Sequence, residues 1–111
     1  MRVKIFQIDM ERDAQNRKFR SLKDGETADA SAYDLVFDGD IAEHQPESIY
    51  TRFNTQGHPR FIGHSLSVSD VVKINNQFFI CQNIGFKEIE FDEAAASSAF
   101  YEKQIKKEKR V

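Results

Sequence analysis

The sequence predicts an α+β fold: one domain, built on a mainly antiparallel sheet of four to five strands with two or three short helices. Three observations predict it. Compact β-prone runs recur at 3–8, 71–81 and 86–91. Segments of helical spacing lie between and after these runs, so strands and helices are grouped rather than strictly alternating, which argues against a doubly wound parallel sheet. The length, 111 residues, suits one core and not two domains with a cleft between them.

The first strand covers Val3 to Ile8. Val3 and Ile5 share one face, Phe6 and Ile8 the other, so both faces are apolar and the strand belongs inside the sheet. Residues 9–18 are polar and read as a loop. Lys18 to Leu22 has weak strand character, and Lys23-Asp24-Gly25-Glu26 is a turn. Asp29 or Ser31 can cap a helix whose stripe is Ala32, Tyr33, Val36 and Phe37, ended by Asp38-Gly39-Asp40. A second helix covers 46–54, with Pro46 in its first turn and Ile49, Tyr50 and Phe53 on one side. Together these two helices are expected to cover one sheet face.

The second half is more sharply patterned. Arg60 to Leu66 can run extended, and Ser67 to Asp70 is a polar turn. Val71 to Ile74, Asn75-Asn76 and Gln77 to Cys81 form a hairpin, because asparagine tolerates positive φ. That register sets Val72 opposite Phe79 and Val71 opposite Ile80. Gly85 interrupts the run, and Phe86 to Phe91 is a further strand. Asp92-Glu93 suits a helix start. The helix continues through Ala94 to Ala96 and the basic end, anchored by Phe100, Tyr101 and Ile105. Residues 1–101 form the globular domain, and 102–111 a basic helical or frayed tail.

Composition limits function. With 40% apolar and 31% charged residues, the chain has a globular rather than a disordered makeup. It carries 16 basic and 18 acidic side chains, and the basic excess is confined to 102–111, which lacks the breadth of a nucleic-acid footprint. A single cysteine, Cys81, forms no intramolecular disulfide and fits a reducing, cytoplasmic setting. The start, Met1 to Asp9, lacks the apolar core of a signal peptide, and no apolar run reaches the ~20 residues of a membrane span, so no membrane insertion is expected.

Candidate chemistry is sparse. His44, His58 and His64 are not spaced as metal ligands, even with Asp70 or Cys81 added. Gly63 to Asp70 gathers hydroxyls, an imidazole and a carboxylate, so His64, Ser65 and Asp70 are the residues a small hydrolase would use. The competing reading is that Ser67 or Ser69 closes the turn before Val71 by bonding main chain. Asp24-Gly25-Glu26 and Asp38-Gly39-Asp40 fall short of a calcium loop. Glycine-rich phosphate loops are absent. No catalytic residue, metal or cofactor is therefore expected.

Tyr33-Asp34-Leu35-Val36-Phe37-Asp38-Gly39, Phe53-Asn54, His58-Pro59 and above all Gly63 to Val72 resemble the YodL-like family. Phe79-Ile80-Cys81 and Gly85-Phe86-Lys87 fit the same pattern, and the likeness extends over about 2–92. It implies a small domain of Gram-positive bacteria and of their plasmids, conjugative elements and phages, and brings no activity, ligand or catalytic residue with it. The function expected is a non-enzymatic accessory module that binds a protein partner through Arg52, Phe53, Arg60, Phe61, His64, Ser65 and Ser67. The alternatives are a weak nucleic-acid accessory, using Arg52, Arg60, Lys106, Lys107, Lys109 and Arg110, and the small hydrolase.

Overall fold

The computed structural model describes residues 1–108. Five strands, β1 (Arg2–Ile8), β2 (Tyr33–Asp40), β3 (Val71–Ile74), β4 (Gln77–Cys81) and β5 (Phe86–Ile89), form one sheet in the order β2-β1-β3-β4-β5. Every pairing between named strands is antiparallel. Helix α1 (Pro46–Thr55) follows β2, and helix α2 (Ala99–Glu108) ends the described chain. The fold is α+β, with β1 inside the sheet as its two apolar faces require.

The hairpin forms as its sequence dictates. Val72 lies opposite Phe79 and Val71 opposite Ile80. Asn75 and Asn76 both take positive φ, 52° and 66°, as the two-residue turn needs. Helix α1 also forms where the spacing places it, burying Ile49 and Phe53.

Residues 33–40 do not form the helix that their apolar spacing predicts; they are strand β2. The reason is a β-bulge. Ile5 pairs with Phe37 and Phe6 with Leu35, leaving Val36 as the extra residue. A bulge breaks the period of two and turns the following side chain to the other face. Tyr33 and Leu35 therefore join one core and Val36 and Phe37 the other. Gly39 lies within the strand instead of capping a helix, and its lack of a Cβ lets the Phe37 ring pack against it. No strand forms at 18–22 or 60–66. Both are loops held mainly by side chains.

The two cores lie on opposite faces of the sheet. One holds Phe6, Tyr33, Val71, Ile80 and Phe91 beneath Tyr101 and Ile105 of α2. The other holds Val3, Ile5, Phe37 and Val72 beneath Ile49 and Phe53 of α1. Full burial of each such side chain contributes roughly 1.5–3 kcal/mol, so both faces are major sources of stability.

The C-terminal helix starts later than its charge pattern suggests. Glu93–Ala95 is a single 3-10 turn. Ser97 then adds its main chain to the β2 edge, accepting from Leu35 N at 2.8 Å and donating to Tyr33 O at 3.0 Å. Glu93 opens that 3-10 turn, and its carboxylate holds both Lys4 (2.8 Å) and Lys73 (2.6 Å). Tyr101 and Ile105 are buried as expected, whereas Phe100 points outward. Residues 109–111, with Lys109 and Arg110 of the basic tail, lie outside the described residues.

Candidate functional site

The 63–70 loop is organised by one polar side chain in the middle of β1. Gln7 stands among Ile5, Phe6 and Ile8 and is itself buried. A buried amide needs partners, and Gln7 has them. Its Oε1 accepts from His64 N at 3.1 Å, and its Nε2 donates to His64 O at 2.8 Å and to Asp70 Oδ2 at 3.0 Å. The same Asp70 oxygen accepts from Ser67 N at 2.9 Å. Gly63 makes this possible: a Cβ there would collide with the Gln7 side-chain oxygen and stand 3.0 Å from Val36 Cβ.

Asp70 is 1% exposed and has no ion-pair partner among the described residues. Burial raises its pKa from 3.8 to about 7, against the lowering effect of Ser67 N–H, Gln7 and Lys18. Burial and the nearby Asp70 also push the Cys81 thiol up to about 11, which leaves it protonated and unreactive at neutral pH. Ser69 adopts φ 85° and is fully buried. Its carbonyl accepts from Tyr33 Oη at 2.6 Å, which in turn accepts from Arg17 Nη2 at 3.0 Å. Its Oγ accepts from Phe19 N at 3.1 Å.

That last bond connects the loop to a second segment, residues 9–22. Asp13 accepts from Arg17 N and Lys18 N, both at 2.8 Å. Lys18 Nζ donates to Ile8 O at 2.5 Å. Phe19 is thereby fixed at φ 66°, a region that a bulky side chain rarely occupies. Phe19 is 56% exposed; its ring lies tilted against His64 at 5.4 Å between centroids and 5.3 Å from Lys18 Nζ.

Between the two segments, at the end of β1, is an open cleft of about 430 Å³. Gln7, Gly63 and His64 line it together with Met10, Lys18 and Phe100. Met10 is 74% exposed and Phe100 55%. Of the six large apolar side chains exposed among the described residues, Met10 and Phe100 line this cleft, and Phe19 contacts two of its lining residues, His64 and Lys18. His64 Nδ1 lies 2.7 Å from Ser65 O. A carbonyl only accepts, so this contact assigns the proton to Nδ1 and the lone pair to Nε2. Burial and Lys18 hold the His64 pKa below its usual value, so the ring is neutral at pH 7.

A sequence model of the YodL-like domain matches residues 2–91. The chain belongs to the YodL-like family. No curated protein and no solved structure matches it. In this YodL-like chain the match takes in the whole sheet, α1 and the 63–70 loop, and stops just before the 3-10 turn and α2.

The predicted site residues of the YodL-like chain do not converge. Phe53 is buried in the α1 core, edge-to-face with Phe37 and Phe61 at centroid distances of 4.8 and 4.9 Å. Arg52 pairs with Glu43 at 3.1 Å. Arg60 lines a separate hollow with Arg2, Asp38 and His58. Ser65 and Ser67 lie beside His64, but Ser67 Oγ donates to Ser65 O at 3.0 Å. No nucleophile–base–acid relay forms: His64 bonds the Ser65 carbonyl rather than its hydroxyl, and Asp70 bonds Gln7 and Ser67 N rather than His64. Among the described residues, no group of three His, Cys, Asp or Glu side chains could hold a metal ion. No helix there is long and apolar enough to cross a membrane.

Sequence reading missed Gln7, Met10, Phe19 and Phe100 as site residues. A single amide inside an apolar strand was the available signal for Gln7. Met10 and Phe19 are isolated apolar residues in a polar segment, and only the backbone shows that they point outward.

Proposed function

We propose that this YodL-like chain is a cytoplasmic, non-enzymatic accessory module that binds a protein partner through the cleft at the end of β1. The observation that carries the reading is that exposed Met10 and Phe100 line one concavity, with exposed Phe19 against its His64 and Lys18. Exposed apolar side chains gathered on one surface mark interaction sites, whereas singly scattered ones do not. Gln7, Asp70, Ser69 and the Ser67 amide are committed to the fold, and the Ser67 hydroxyl is bonded to Ser65 O rather than to His64. The family resemblance supports a source in a mobile genetic element. A nucleic-acid role would rely on Arg60 and the tail, of which Lys106 and Lys107 are exposed at the end of α2 and Lys109 and Arg110 lie outside the described residues, while Arg52 is paired with Glu43.

The test is quantitative affinity capture from the source cells, with the wild type and the Met10→Ser/Phe100→Ser double variant as parallel baits. A protein enriched at least ~10-fold on the wild type and lost on the variant supports the reading. Equal recovery on both baits removes this cleft as the interface.

A further inference from the structure

The charge pattern of the cleft specifies what kind of segment it takes. Two aspartates line it, Asp9 and Asp34. Both are held by Arg12, at 2.8 Å and 2.7 Å. Lys18 is different. Its ammonium bonds one main-chain carbonyl, Ile8 O, and lies against the Phe19 ring. No carboxylate among the described residues pairs with it, and Asp70 is buried on Gln7 and Ser67. An ammonium has three donors, so Lys18 retains donors for a ligand. The apolar lining beside it is Met10, Val36, Ile62 and Phe100.

Resting on the interaction reading above, we propose that the cleft binds a peptide segment in which an apolar side chain stands next to a carboxylate. The apolar side chain packs against Met10, Phe100 and the Val36–Ile62 wall, and the carboxylate pairs with Lys18. A phosphate backbone is disfavoured. It brings a charge at every step and would meet Asp9 and Asp34 in the same cleft, whereas a peptide delivers one carboxylate to one cation. The Phe19 backbone fits this role. A bulky residue at positive φ costs of order 1–3 kcal/mol, and here it holds a ring in solvent against both Lys18 and His64. A ligand carboxylate on Lys18 would be partly shielded from water by that ring, which strengthens the pair.

The experiment selects a random twelve-residue peptide library, displayed on phage, against the immobilised full chain. Enriched peptides are then synthesised and titrated by fluorescence polarisation. The enriched set is expected to share an apolar–Asp/Glu pair. Binding should weaken about tenfold with Lys18→Gln, which keeps a donor for Ile8 O, and equally when the peptide acid becomes its amide. Combining both changes should cost no more than either alone, the signature of one shared contact. Circular dichroism and thermal unfolding verify that each variant is folded. Peptides that require Met10 and Phe100 but bind Lys18→Gln undiminished overturn the carboxylate inference and leave the interaction reading standing. A basic consensus does the same. No enrichment, or binding indifferent to Met10→Ser and Phe100→Ser, overturns both.

Discussion

The two sides of the cleft at the end of β1 are built on opposite principles. On the 63–70 side polar groups are buried and joined: Gln7, Asp70, Ser69 and the Ser67 amide all have partners. On the 9–22 side Met10 and Phe19, with Phe100 of α2, face water, carried on a backbone that Asp13 and the buried Arg17 hold in place. The first arrangement carries a large penalty if any member is removed, because buried polar atoms would be left unpaired. The second loses almost nothing in stability when its side chains are cut back, because they bury little. On the proposal made above, the first arrangement serves folding and the exposed side chains of the second serve recognition.

That contrast can be broken at Gln7 first. Gln7→Leu leaves the His64 amide and carbonyl and the Asp70 carboxyl without their partner, and should lower the unfolding free energy by about 3 kcal/mol. Urea denaturation followed by circular dichroism reads it. Gly63→Ala pushes against a Gln7 that is bonded at both ends and cannot swing away. It should cost about 2 kcal/mol in the same assay.

Asp70 sharpens the contrast through pH. Its folded pKa, about 7, lies above the ordinary value of 3.8. Between those values the folded state binds the extra proton. The stability this group contributes is therefore complete below about pH 4 and is lost as pH rises towards 7. Asp70→Asn should remove this dependence. The variant should gain on the wild type steadily from pH 4 to 7 in thermal unfolding scans, and the difference should be flat above pH 7. Carboxylates shifted the other way, such as Asp38 on Arg2, are common to both proteins and cancel in the comparison.

The smallest effects fall on exposed groups. Ser67→Ala removes only the exposed hydroxyl contact to Ser65 O and leaves the Ser67 amide on Asp70. It should change stability by less than ~0.5 kcal/mol. Met10→Ser and Phe100→Ser should each stay within about 0.5 kcal/mol of the wild type in stability, while abolishing partner capture.

The hairpin at 71–81 was legible in the sequence because the turn, the alternation and the apolar pairing agree on one structure. Strand β2 was not, because its bulge places Leu35, Val36 and Phe37 in succession against two different cores, and that spacing imitates a helical stripe. The serine-rich turn was read as main-chain chemistry, and Ser69 does accept from Phe19 N. The Ser67 hydroxyl is the one that bonds neighbouring main chain, donating to Ser65 O, whereas the Ser69 hydroxyl reaches a residue 50 positions away. What no local pattern contained was the pairing of Gln7 with His64, 57 residues away, or the backbone that turns Phe19 outward. Both are products of tertiary structure, and together they define the cleft.

Site-specific photocrosslinking in the source cells, with a benzophenone side chain introduced singly at positions 10, 19, 65, 67 and 100, tests the division between the two sides most directly. The division predicts discrete protein adducts from 10, 19 and 100 and none from 65 or 67. Adducts confined to 65 and 67 would contradict it, and would place recognition on the serine loop.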